Sequence, residues 1–192
     1  MQFKNIFIIL IFGLFSLSSK VNSAEYKLDI KGAHAFIQFK IQHLGYSWII
    51  GHFNQFDGKL NYDNANEAAS EISIVIDTAS IDSNHKLRDK HLRGKKFLDV
   101  NKYPKATFNS TKYQPTTPGM AILTGDFTFH GVTKSIDIEV HKMGEGKDPW
   151  GGERVGFEGT TTFKLKDYNI KKKLSPASAE VELYFTLEGI KQ

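Results

Sequence analysis

The residues best suited to chemistry in this 192-residue chain crowd into one stretch, "RDKHLRGKKFLD" (88–99). Arg88, Lys90, His91, Arg93, Lys95 and Lys96 fall within nine positions, and Asp89 is the only acid among them. Such a cluster suits a nucleic-acid backbone, a catalytic or metal centre, or the rim of a binding site. Nucleic acid fits poorly, because no aromatic residues interleave the cations for base stacking. A metal fits poorly too: the seven histidines form neither HxH nor HExxH, and there is no cysteine. His85 and His91 stand six apart, a spacing that a helix does not bring to one face. Catalysis has no obvious set either, since GxSxG is absent, and Asp82, Asp89 and Asp99 are explained by helix capping and turns. The residues thus predict no enzyme, no metal and no cofactor, and leave the rim of a binding site.

The N-terminus speaks to the compartment. "MQFKNIFIILIFGLFSLSSKVNSA" has one early cation, Lys4, an apolar run from Ile6 to Leu17, and small residues at its end. The run is roughly a dozen residues, short of the ~20 that a membrane-spanning helix needs. Val21 and Ser23 stand at −3 and −1 to a cut before Ala24, so residues 1–23 are expected to be a cleaved secretory signal and 24–192 one exported domain. No later segment is apolar enough to span a membrane. The formal charge of +4 includes Lys4 and Lys20; without them 23 cations face 21 acids, a net charge of +2, too weak for a global nucleic-acid binder. With no disulfide available, stability must come from packing and hydrogen bonding.

The elements that must position the cluster are strands. Ala35, Ile37, Phe39 and Ile41 alternate with flanking residues that include Gln38 and Lys40, and Ile72, Ile74 and Ile76 alternate with Ser73, Val75 and Asp77. Ile136, Ile138 and Val140 stand opposite Asp137, Glu139 and His141, and similar patterns run through 155–165 and 181–188. Period-two alternation marks strands with one buried face. Weaker strands read at "YKLDI", "FDGKLNY", "KATFNSTKY" and "ILTGDFTFH", with turns at Asp57-Gly58, Asp63-Asn64, His130-Gly131 and "GEGKDPWGGE". The fold class is all-β: about eight antiparallel strands packed as a sandwich or closed as a barrel, with short helical segments. Two stretches lack the alternation, "IQHLGYSWIIGHF" and Ser80 to Asn101, and each reads as a short helix or ordered loop. A helix from Tyr46 to Ile50 would let Trp48 and Ile49 close one barrel end.

Of the fifteen phenylalanines, Phe39, Phe108, Phe127, Phe129, Phe157, Phe163 and Phe185 fall on the predicted buried parity. An eight-stranded barrel either fills its interior with such side chains or keeps room for one elongated ligand. These residues leave both open.

Three motifs, "HAFIQFKIQHLGYSWIIGHFNQFDGKL", "TASIDSNHKLRDKHLRGKKFLDVNKYPKATFNST" and "LTGDFTFHGVTKSIDIEV", resemble the YceI family of secreted bacterial proteins in order and spacing. The resemblance runs from about Tyr26 to Gly189. It implies a lipocalin-like antiparallel β-barrel that binds a long polyisoprenoid chain in its interior, located in the periplasm; family members are also seen as homodimers. Where many relatives have an Arg followed by Asp-Phe-Gly, this chain has Lys166, Asp167, Tyr168 and Asn169.

Joined to the periodicity, the resemblance gives an apolar tunnel of Ile37, Phe39, Ile74, Phe108, Phe127, Phe129, Phe157, Phe163 and Phe185. Arg88, His91, Arg93, Lys95 and Lys96, with His43 and Trp48, form a mouth for the head group of a polyprenyl pyrophosphate or an isoprenoid quinone. His34 and His43 also read as hydrogen-bonding residues near a barrel end. In the bland reading, Arg88 and Asp89 tie the segment to the barrel wall and the lysines are solvated. The alternative function is a filled periplasmic barrel acting through protein partners, for example in a stress response.

Overall fold

A computed structural model describes residues 23–173 and 175–192. The expected leader, but for Ser23, lies outside the described residues. The strands are β1 (Ala24–Leu28), β2 (Ala35–His43), β3 (Ser47–Phe53), β4 (Phe56–Tyr62), β5 (Glu71–Asp77), β6 (Ile81–Asp82), β7 (Lys105–Thr117), β8 (Met120–Phe129), β9 (Val132–Lys147), β10 (Glu153–Lys164) and β11 (Glu180–Lys191), with one helix, α1 (Lys86–Arg93).

These eleven segments make a closed antiparallel barrel of eight strands. One edge of β11 pairs first with β2, over Glu182–Leu187, and then with β1, over Gly189–Lys191. β2 pairs with β3 and β1 with β4, while β4 pairs with β5 and β3 with β6. So β1 with β2, β3 with β4, and β5 with β6 are successive halves of three strands, each broken midway. The ring closes through the pairing of β1 with β11. Beyond β6 the chain leaves the wall, and residues 83–104, including α1, return to β7 at the end where the β2–β3 turn also lies. This is the open end; Tyr62 and the Asp148–Gly152 loop mark the closed end.

Inward-facing apolar side chains alternate with outward polar ones as the sequence predicts: Ala121, Leu123, Phe127 and Phe129 on β8 are all buried, as are Val155, Phe157 and Phe163 on β10. The second irregular stretch, expected as a short helix or ordered loop, holds α1. The first holds no helix: "IQHLGYSWIIGHF" forms the end of β2, a tight turn and β3. Leu44 and Gly45 both have positive φ (55° and 85°), and the Tyr46 amide donates to the His43 carbonyl (3.0 Å). Two consecutive left-handed residues suit the twist of a hairpin, but asparagine and glycine usually signal that turn, and leucine hides it. β3 also lacks visible alternation because Trp48 and Ile50, its outward residues, are apolar and exposed. The expected Tyr46–Ile50 helix is therefore a strand, with Trp48 on the outside of the barrel.

Candidate functional site: a cavity in the open half

The open half holds a cavity of about 920 Å³, near the top of the roughly 300–1,000 Å³ range of small-molecule sites. Its wall is mainly apolar: Phe39 and Ile41 from β2, Ile49 and Phe53 from β3, Phe127 and Phe129 from β8, Phe163 from β10, and Val181 and Leu183 from β11. These aromatics line space instead of filling it. Phe127, Phe129, Phe163 and Tyr168 pack on one another with ring centroids 5.1–5.7 Å apart, forming one wall. The Phe39 ring lies across Gly51, its direct cross-strand partner, where any Cβ would collide with it. That glycine lets the ring lie against the sheet.

A waist divides the interior. On β5, Ile76 lines the cavity and Ile72 a separate small void of about 30 Å³. Ile74, between them, is buried and touches neither space. Phe108 on β7, the direct partner of Ile74, and Ile37 on β2 are likewise buried and line neither space. Of the nine residues predicted to line a tunnel, Phe39, Phe127, Phe129 and Phe163 line the large cavity, and Phe157 and Phe185 the small void. Ile37, Ile74 and Phe108 form the waist.

At the mouth the cation cluster divides into two groups. The Arg88 guanidinium donates to the Ser83 hydroxyl (2.7 Å) and to the Ser83 carbonyl. Arg93 donates to the carbonyls of Ala79 and Ile81 (both 2.7 Å). Asp89, buried, accepts from the Ser83 amide (2.9 Å) and hydroxyl. These three staple α1 and its approach to β6, while the His85 imidazole caps the helix by accepting from the Arg88 amide (3.1 Å). Lys90, Lys95 and Lys96 are exposed at the opening with His91. Arg93 and Trp48 do not line the cavity; Arg88 and His43 do.

Two lining cations were not anticipated. Lys172 and Lys173, in the segment after β10, line the same cavity as Lys90, Lys95 and Lys96. The run Lys171–Lys173 is visible in the sequence, but its arrival at this mouth depends on the fold. Beside it, Asn169 takes a left-handed conformation (φ 61°), a region that asparagine tolerates better than most residues with a side chain. The Tyr168 hydroxyl is buried without a partner among the described residues, and burial pushes its pKa up to about 12.

One cluster elsewhere has metal-like donors. Asp29, His34 and Glu188 converge in the closed half. The Arg154 guanidinium lies among them, 2.7 Å from Asp29 and bonded to Glu188 and Asp148. It supplies the positive charge that a cation would bring. His34 and then Arg154, hydrogen-bonding the Asp29 carboxylate, hold its pKa down at about 2. The network fastens the β1–β2 break to β10 and β11. No helix among the described residues is long and apolar enough to cross a membrane.

The chain resembles a UPF0312 protein of Ectopseudomonas mendocina, 52% identical over 189 residues that cover 98% of this chain and 99% of that one. A UPF0312 protein of Yersinia enterocolitica is 51% identical, covering 93% and 92%. Among solved structures, the Campylobacter jejuni YceI protein superposes with a TM-score of 0.71 at 27% identity, over 80% of this chain and 91% of that one. Burkholderia cenocepacia BcnA shares the fold, with a TM-score of 0.75 at 23% identity over 84% and 98%. A polyisoprenoid binding domain from Saccharophagus degradans shares it too, at 0.66 and 17% over 87% and 98%. The YceI-like domain model matches residues 26–189, nearly everything from β1 to β11, and the chain belongs to that family.

Proposed function

We propose that this protein is a non-enzymatic binder of a long-chain isoprenoid lipid, acting in the periplasm as a carrier or buffer. The observation that carries the reading is the large apolar cavity in the open half, walled by Phe39, Phe127, Phe129 and Phe163 and opening among lysines. Burial alone holds such a ligand: each methylene removed from water contributes about 0.8 kcal/mol, so several isoprene units need no specific chemistry. Selectivity then comes from the shape of the wall and from the mouth. The fold shared with a protein described as polyisoprenoid-binding supports the ligand class. Because Arg88 and Arg93 are committed to carbonyls, the groups left for a head group are Lys90, Lys95, Lys96, Lys172 and Lys173. Five ammonium groups suit a pyrophosphate better than a neutral quinone ring.

The test is a mass spectrum of an organic extract from the exported protein, purified without detergent, beside its native mass. A stoichiometric polyprenyl species is the expected result. An empty protein that also refuses added prenyl lipid would overturn the proposal and favour a barrel acting through protein partners.

A further inference from the structure

Half of the exposed large apolar side chains of the described residues gather at one place. Leu44, Tyr46, Trp48 and Ile50 stand on the β2–β3 hairpin and Leu87 on α1, half of the ten large apolar residues left exposed, and Tyr46 is 88% exposed. Both elements border the cavity, through His43 and Ile49 on one side and Leu87 and Lys90 on the other. The mouth is thus an apolar opening with an apolar and aromatic rim. Lys90, Lys95, Lys96, Lys172 and Lys173 stand at the same end, exposed, and the ion pairs of the described residues involve none of them. The Lys40 ammonium sits 4.4 Å over the Trp48 ring while pairing with Glu182 (3.0 Å), so it anchors the ring at the rim without adding net charge.

We propose that this rim docks on the surface of an anionic phospholipid bilayer with the cavity mouth facing the lipid. Tyrosine and tryptophan have apolar bodies with polar tips and settle at the head-group level. Unpaired lysines beside them attract anionic head groups. A second copy meeting the first mouth to mouth would set lysines against lysines, so the charge favours a bilayer over self-association at this face. Docked in this way, the cavity receives an apolar chain from the bilayer without exposing it to water. The value of docking for function rests on the lipid-binding reading; the docking itself is measured separately.

The experiment is flotation of the mature protein with vesicles of phosphatidylethanolamine and phosphatidylglycerol, and with vesicles of phosphatidylcholine alone. The protein is expected to float with the anionic vesicles and to lose them in about 1 M salt, where the screening length falls to about 3 Å. The double variant Leu44→Asn/Tyr46→Ser, outside the cavity wall, and the quadruple Lys95→Gln/Lys96→Gln/Lys172→Gln/Lys173→Gln should each weaken binding by about tenfold or more. Uptake of prenyl alcohol dispersed in buffer is measured in parallel, and the double variant should retain it. A wild type that takes up the alcohol but ignores anionic vesicles overturns the docking and spares the lipid-binding reading. One that floats but takes up nothing does the reverse. Indifference of flotation to both variants, or a native-mass dimer that the double variant dissociates without affecting flotation, also overturns the proposal.

Discussion

The two halves of the barrel share eight strands and one pattern of alternation, yet one half is full and the other hollow. In the closed half, Tyr62 packs edge-on against Phe157 (5.4 Å), Lys142 donates to the Tyr62 hydroxyl (2.9 Å), and that hydroxyl donates to Glu67 (2.9 Å). Burial, with Glu67 beside it, raises the Tyr62 phenol pKa, and burial pushes that of Tyr113 up to about 12, so both stay neutral and plug the interior. In the open half the aromatics pack on one another or across a glycine and leave the centre empty. Alternation therefore sets which side chains face inward, whereas ring-on-ring and ring-on-glycine packing decides whether inward means filled.

The largest test of that contrast is paired truncation. Phe157→Ala in the packed half should lower unfolding stability by about 3–5 kcal/mol, the usual cost of losing a core aromatic. Leu183→Ala, on the cavity wall, should cost less than about 2 kcal/mol, the lower end for leucine in a packed core, because the site already has an empty side. Urea unfolding measures both. Equal losses would mean that the open half is as well packed as the closed one.

A second pair concerns glycines beneath phenylalanines. The Phe39 ring crosses Gly51 in the open half, and the Phe185 ring crosses Gly159 in the closed half. Gly51→Ala and Gly159→Ala should each cost about 1–3 kcal/mol, as overpacking does. Only the first should also reduce lipid uptake, because only there does the displaced ring have the large cavity to enter. Uptake that falls equally in both variants would break the assignment of the ligand to the open half.

Much of this was legible from residue order, and the exceptions have physical reasons. The inward parity of β9, β10 and β11 follows from clean alternation. β7 reads weakly because its register shifts between Ser110 and Lys112, where a bulge lets Tyr113 face inward after Ser110. β3 is obscured by apolar residues on both faces and a leucine in a left-handed turn. The cation cluster was visible as a rim, but nothing local distinguishes Arg88 and Arg93, which bond backbone carbonyls, from the free lysines beside them. Lys172 and Lys173 meet that cluster only because β10 ends at the same rim that α1 crosses, a relation set by the barrel's closure.

The smallest expected effect separates the halves by pH. In the closed half, Asp29 is held by His34 and Arg154, so its folded pKa of about 2 lies below its ordinary value of 3.8. A carboxylate with a depressed folded pKa binds protons more readily when unfolded. Its contribution is therefore complete above about pH 4 and is lost as pH falls through about 2. The urea midpoint of the wild type should exceed that of Asp29→Asn by a constant margin above pH 4, and the gap should close toward pH 2. The network is partly solvent-exposed, so the margin should be smaller than the loss from Phe157→Ala. Other carboxylates with lowered pKa values, Glu153 and Glu158 among them, give both proteins a shared acid limb, which the difference between the two curves removes. A gap that persists unchanged at pH 2 would show that Asp29 holds the β1–β2 break through hydrogen bonds that do not need its charge, and that the electrostatic contrast between the halves is absent.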